Sequence, residues 1–132
     1  MADKLMRIVI VMSFFLGMAL LSGCGTNRMH LTNADNGKQV AVKSGDVIVV
    51  TLESNPTTGF SWQLTEMDNA VLKQVGEVKY ESDGRNIPGA GGTETFRFEA
   101  VSAGEVALTL WYMRPWESVQ PLETFTIQVV VQ

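Results

Sequence analysis

Apolar and polar residues alternate with a period of two along most of this chain beyond residue 37, and this pattern limits the fold more than any other feature. The clearest runs cover residues 48–53, 60–65, 95–100, 106–112 and 124–131. Weaker runs cover residues 38–43 and 71–80. A period of two places successive side chains on opposite faces of a β-strand. Since no stretch of useful length has the period of an amphipathic helix, the sequence predicts an all-β fold.

Seven short strands separated by turns rich in Gly, Pro and Asn are typical of a two-sheet sandwich. We therefore expect an immunoglobulin-like, antiparallel Greek-key β-sandwich of about seven or eight strands, with Trp62 in its core. An eight-stranded barrel is the alternative, although a domain of this size leaves little room for a ligand cavity. The 132 residues include one cysteine, so the fold has no internal disulfide.

The first 23 residues differ in composition from the rest of the chain. Lys4 and Arg7 precede an apolar run over residues 8–21, which is too short for a comfortable transmembrane helix and has the form of a signal peptide. The run ends in LSGC, and a cysteine at this position, Cys24, resembles the acylated first residue of mature bacterial lipoproteins. An ordinary secretory signal with an incidental cysteine is the alternative.

The lipoprotein resemblance predicts a membrane anchor and a location. Acyl chains on Cys24 would hold the chain stably in the bacterial cell envelope. Gly25 follows the cysteine where an Asp would favour inner-membrane retention, so the periplasmic side of the outer membrane is expected. Residues 24–37 are polar and turn-prone, which predicts a lipidated cysteine followed by a tether. The folded domain is then expected over residues 38–132, as a monomer.

Charge and composition exclude several classes of function. The net charge of −4 argues against a nucleic-acid partner, which requires a basic face. The one histidine lies in the predicted tether and the one cysteine at the predicted anchor, so neither a Ser-His-Asp nor a Cys-His site is expected. The same count excludes a Cys/His metal cluster. An enzyme that uses carboxylates alone has no supporting residue pair, so we expect no enzymatic activity, no metal and no cofactor.

Three connections between the predicted strands have more specific sequences than a turn requires. Their candidate binding residues are Asn55, Pro56, Thr57, Thr58, Gly59 and Phe60 in the first, Gly89, Ala90, Gly91 and Gly92 in the second, and Arg114, Pro115 and Trp116 in the third. Each alone has a plainer interpretation: a well-built turn, an adaptable hairpin tip, or a tryptophan packed on the end of the sandwich.

The topology of a Greek-key sandwich favours a functional interpretation. Connections that follow the second, fourth and sixth strands emerge at the same end of such a fold, and the three connections hold those positions. They are therefore predicted to form one recognition edge. Trp and Arg in a loop stiffened by proline have the composition of a binding hot spot.

These three motifs, in this order, resemble those of the chagasin family, which are inhibitors of papain-like cysteine peptidases. The resemblance covers roughly residues 37–132. NPTTGF matches the first loop of the family, Gly89-Ala90-Gly91-Gly92 matches its Gly-x-Gly-Gly loop, and Arg114-Pro115-Trp116 matches its Arg-Pro-Trp loop. The lipoprotein signal departs from the better-known protozoal members but leaves the loops intact.

The resemblance implies a reversible inhibitor that enters the peptidase cleft with three loops and without covalent chemistry. Residues 56–59 would lie over the catalytic cysteine, and Gly91 and Gly92 would let the second loop pass close to the non-primed side. Trp116 would stack on the primed side, and Arg114 would donate to peptidase carbonyls or carboxylates. An envelope-anchored adhesion module that uses the same edge is the alternative function.

Overall fold

Two packed β-sheets contain most of the residues that the structure, a computed structural model, describes, namely 25–84 and 89–132. The strands are β1 (Arg28–Thr32), β2 (Gln39–Val42), β3 (Val47–Ser54), β4 (Ser61–Leu64), β5 (Leu72–Gln74), β6 (Lys79–Ser82), β7 (Gly92–Ala100), β8 (Gly104–Met113) and β9 (Glu123–Val131). Two 3-10 turns cover Asn33–Asp35 and Pro56–Thr58. The predicted signal peptide and Cys24 lie outside the described residues.

Each sheet combines strands from distant parts of the chain. The first sheet has the order β1-β3-β7-β5, and β6 also pairs with β7; the second has the order β2-β9-β8-β4. The predicted all-β sandwich is confirmed. Five of the seven strand pairings are antiparallel, and the exceptions are the parallel pairs β1–β3 and β2–β9. The N-terminal part of the chain thus supplies one edge strand to each sheet.

The core lies between the sheets and is built from the inward half of each alternating pattern. The side chains that are at most 1% exposed come from both sheets and include Ile48, Val50, Leu52, Phe96, Phe98, Leu108, Leu110, Phe125, Ile127 and Val129. Trp62 is 3% exposed, as the sequence predicted. Removing this apolar surface from water is the main favourable contribution to folding.

The predicted tether is corrected by strand β1. Residues 28–32 pair with β3 along its first five residues, and Leu31 is buried in the core cluster. The following 3-10 turn has a capping box between Thr32 and Asp35. The Thr32 N–H and the Lys38 ammonium both donate to the Asp35 carboxylate and hold its pKa below the ordinary value of 3.8. Of the predicted tether, residues 25–27 and 33–37 remain outside the sheets.

The strand predicted over residues 71–80 is divided in two. Its halves, β5 and β6, pair with opposite ends of β7. Gly76 lies between them with a φ of +71°, a left-handed conformation that interrupts an extended strand. The edge of the first sheet is therefore broken at its middle, which blunts it against pairing with another chain.

The sandwich has two unlike ends, which we call the loop end and the base. Ser54, Gly92 and Met113 lie at the loop end, where β3 stops, β7 starts and β8 stops. The first described residues and Val131, at the close of β9, lie at the base. No helix within residues 25–84 and 89–132 is long and apolar enough to cross a membrane.

Candidate functional site

The three predicted loops meet at the loop end of the sandwich. Loop 1 (residues 55–60) joins β3 to β4, loop 2 (residues 83–91) joins β6 to β7, and loop 3 (residues 114–122) joins β8 to β9. Residues 85–88 of loop 2 lie outside the described residues. Loop 1 is central, because the described parts of both other loops contact it. The structure therefore brings the sequence-predicted residues together at a single edge.

Loop 1 is stiffened by its own hydrogen bonds. Pro56 begins a 3-10 turn that Gly59 closes, with its N–H donating to the Pro56 carbonyl at 3.0 Å. The Thr57 hydroxyl donates to Asn55 Oδ1 at 2.6 Å, and the Thr58 hydroxyl donates to the Asn55 carbonyl at 2.7 Å. The side chains of Pro56, Thr57 and Thr58 are exposed. Small side chains thus project from a loop that is already ordered, so binding costs little conformational entropy.

A buried aromatic cluster supports loop 1 from below. The Tyr112 ring lies 5.4 Å from Phe60 and 5.1 Å from Trp62, measured between centroids. The Tyr112 hydroxyl accepts a hydrogen bond from the Asn55 N–H at 2.9 Å, where loop 1 begins. The indole of Trp62 donates to the Glu53 carbonyl at 2.9 Å. Both ends of loop 1 are therefore fixed to the core.

Glu94 adds a polar contact within this cluster. Its side chain is on β7 and is 8% exposed, and it accepts the Trp62 N–H at 3.0 Å. This hydrogen bond crosses from one sheet to the other, because β7 and β4 belong to different sheets. A buried carboxylate that receives a backbone N–H satisfies a donor at the start of β4 that would otherwise be costly to bury.

Arg114 connects loop 3 to loop 1. Its Nε donates to the Thr58 carbonyl at 3.0 Å, and its guanidinium lies 4.5 Å from the centroid of the Phe60 ring. Glu117 pairs with Nη1 at 3.2 Å within loop 3 itself. A planar guanidinium can make all three contacts at once, which an ammonium group cannot do with the same geometry.

Trp116 is the most exposed large apolar side chain at this end. It is 70% exposed, and one edge of its indole lies over Gly59. A Cβ at Gly59 would come within 2.6 Å of Trp116 Cη2, and the φ of Gly59 is +83°. Glycine is therefore required there for two reasons, its left-handed backbone and the close approach of the indole. Trp116 rests on loop 1 and leaves most of its ring free.

Loop 2 contacts loop 1 through its backbone. The Asn55 side-chain amide donates to the Gly89 carbonyl at 3.4 Å, and a Cβ at Gly91 would lie 3.5 Å from the Ser54 carbonyl. Ala90 and Gly91 are partly exposed.

Gly92 differs from its neighbours, because it is buried in β7 opposite Ser54. A Cβ there would overlap the Glu81 carbonyl and meet the Tyr80 ring. The structure therefore gives Gly92 a packing role in the sheet.

The site has the character of a contact surface. No group of three or more His, Cys, Asp or Glu side chains among the described residues could hold a metal ion.

Sequence reasoning missed Glu94 and Tyr112 as supports of loop 1. Glu94 carried a signal in the sequence. If the alternation over residues 95–100 is extended back by one residue, this carboxylate falls at an inward position, where an apolar side chain is expected. Tyr112 carried none beyond its place in an alternating strand.

Two comparisons of the sequence with known proteins point to the same family. The family model described as Chagasin family peptidase inhibitor I42 matches residues 41–129. Chagasin from Trypanosoma cruzi is 41% identical over 90 residues, which are 65% of this chain and 81% of chagasin.

Solved structures share the fold. The solution structure of amebosin has a TM-score of 0.67 at 31% identity and covers 82% of this chain and 100% of amebosin. The cysteine protease inhibitor EhICP2 from Entamoeba histolytica has a TM-score of 0.73 at 24% identity and covers 83% of this chain and all of its own. At that identity EhICP2 supports the fold alone.

Proposed function

The chain belongs to the chagasin family of peptidase inhibitors, and from this we propose that it inhibits papain-like cysteine peptidases reversibly by filling the active-site cleft with its three loops. The members of the family are inhibitors and not enzymes. The observation that carries the proposal is the joining of loops 1 and 3 by the Arg114 hydrogen bond to the Thr58 carbonyl. It makes one rigid wedge of two segments that are 56 residues apart.

Loop 1 forms the tip of this wedge. A cleft that holds an extended peptide accepts only a narrow insert, and Pro56, Thr57 and Thr58 have small exposed side chains on an ordered turn. We place Thr57 and Thr58 closest to the catalytic cysteine. No covalent bond forms in this mechanism, because the loop presents no strained or activated group. Inhibition comes from excluding substrate.

Loops 2 and 3 contact the walls of the cleft on either side. Gly89, Ala90 and Gly91 bring backbone close to the non-primed wall. Trp116 offers a large, mostly free aromatic face to the primed wall, and such residues dominate interface energetics. Arg114 first holds loop 3 in place, and its remaining N–H groups are available to peptidase carbonyls or carboxylates.

The experiment is inhibition of papain by residues 25–132, which contain both complete sheets, titrated at a fixed substrate concentration. We expect reversible inhibition at nanomolar concentrations without cleavage of the inhibitor. Trp116→Ala should weaken binding by about 2–4 kcal/mol, since it removes a central aromatic anchor. Its melting temperature should stay close to that of the wild type, because the ring is mostly exposed.

Val101→Ala is the matched control, since it shortens an exposed apolar side chain at the base. It should inhibit like the wild type. A loss below tenfold for Trp116→Ala would argue against the stacking role. Absence of inhibition of papain and of a cathepsin L-type peptidase at micromolar concentrations would reject the proposed function.

We further propose that the chain is a monomeric lipoprotein, anchored through Cys24 in the bacterial cell envelope on the periplasmic side of the outer membrane. The sequence features in support are the charged and apolar segments before LSGC and the Gly that follows it. The location of the first described residues at the base is compatible with an anchor, because it leaves the loop end free.

A further inference from the structure

The outer face of the second sheet carries an apolar patch next to loop 3. Trp111 and Met113 alternate with the inward Tyr112 on β8, so they face outward. Leu122 directly precedes β9, and its N–H donates to the Tyr112 carbonyl at 2.9 Å. Together with Val119 of loop 3, these residues form what we call the outer patch (Trp111, Met113, Val119 and Leu122). Trp111 is 42%, Val119 61% and Leu122 64% exposed.

The exposed large apolar side chains of this face are concentrated at its loop end. Further along the same strands the outward positions are Glu105, Ala107, Thr109, Thr126, Gln128 and a half-buried Val130. The hydroxyls of Thr109 and Thr126 lie 3.2 Å apart and satisfy each other. This is the usual composition of a solvated sheet face. An apolar patch only where the face reaches the loops indicates that something other than water covers it there.

The outer patch is continuous with the proposed binding edge. Val119 follows Trp116 by three residues, so their Cα atoms lie within roughly 11 Å. An open hollow of about 670 Å³ separates loop 3 from the sheet and is lined by Trp111, Ser118, Val119, Gln120, Pro121 and Thr124. None of these lining side chains is charged, and Trp111, Val119 and Pro121 supply apolar walls against which an apolar surface segment can pack. Any protein that covers Trp116 therefore comes close to this hollow.

We propose that the outer patch is a second contact surface for the same peptidase, occupied by an apolar segment on the outside of its primed wall. The inference rests on the proposed function, since Trp116 must first meet that wall. It adds a fourth contact to the three loops. This contact lies on the outside of the enzyme and not in its cleft, so it slows dissociation without taking part in blocking substrate.

The test measures binding of papain to residues 25–132 by surface plasmon resonance, with a Val119→Ser, Leu122→Ser double variant. We expect dissociation to become at least about tenfold faster, because two exposed apolar contacts are lost together, while complete inhibition is still reached at saturation. Trp111→Thr, which copies the residue type found lower on the same face, should act in the same direction. Val101→Ser at the base is the control for loss of an exposed apolar side chain.

The outcomes separate the two proposals. Unchanged dissociation of the double variant, with Trp116→Ala still weakening binding, would overturn the outer patch and leave the inhibitor mechanism in place. A wild-type chain that does not bind papain would overturn both. If light scattering shows a wild-type dimer that the double variant converts to a monomer, with papain dissociation unchanged, the patch joins two copies of this chain and the proposal is wrong.

Discussion

At the scale of single residues, the loop end depends on close contacts between residues that are far apart in the sequence. Gly59 lies under the Trp116 indole, and Arg114 reaches back to the Thr58 carbonyl. Each contact joins loop 3 to loop 1. The position and composition of the loops do not by themselves fix the recognition edge. These two contacts hold loops 1 and 3 in one arrangement.

Gly59→Ala should weaken papain inhibition by roughly tenfold or more. The added Cβ would displace Trp116, and a left-handed alanine costs on the order of 1 kcal/mol. Gly45→Ala at the base is the matched control, because its φ is +93° and no atom lies within 4 Å of the added Cβ. Both variants should lose similar stability in urea unfolding. Equal inhibition by the two would show that the contact between Gly59 and Trp116 does not matter.

Sequence reasoning identified the residues of the edge more readily than the residues that support it. The three motifs stand out because each has a more specific sequence than a turn requires. Gly92 belongs to the same motif as Gly91, yet the close approach of Glu81 and Tyr80 on β6 makes it a packing residue. Such a distinction depends on which strand lies beside it, and period and composition do not specify that partner.

At the scale of strands, strong alternation predicted strands well and weak alternation did not. The run over residues 106–112 has four inward apolar side chains and became part of β8. Residues 28–32 do alternate, with Leu31 buried and Met29 partly buried against the core, but the run is only five residues long and polar, turn-prone residues flank it. Their pairing with β3 and the adjacent capping box hold the strand in place, and neither is visible in so short a pattern.

Leu31→Ala should lower the free energy of unfolding by about 2–4 kcal/mol, because the shorter side chain leaves a cavity in the core. His30→Ala is the control from the same strand, since His30 is exposed, and it should change stability little. Denaturant unfolding of both variants measures the difference. Equal stability of the two would mean that residues 28–32 behave as a tether in solution.

At the scale of the whole molecule, the loop end and the first described residues lie at opposite ends of the sandwich. The loop end holds the three loops, and the described chain enters at Gly25 and leaves after Val131 at the base. Only three described residues, 25–27, precede β1. They span at most about 11 Å when extended, so an anchor at Cys24 would hold the domain close to its membrane.

Expression of the full chain in a Gram-negative bacterium tests that anchor. We expect the wild type in the outer-membrane fraction and Cys24→Ser outside it, because the variant lacks the thiol that the lipoprotein proposal requires for acylation. Gly25→Asp should keep the lipid and shift the chain toward the inner membrane. Immunoblots of separated fractions report the distribution. Wild type and Cys24→Ser in the same fraction would reject the lipoprotein proposal.

The separation of the two ends has a consequence for many copies together. Strand β3 spans eight residues, or about 27 Å, from base to loop end. Molecules attached by the base to one surface would all turn the same face outward, like bristles of equal length. The capacity of such a layer for enzyme would be set by the area that each captured molecule covers. An enzyme released from one inhibitor would meet the next before it diffused away.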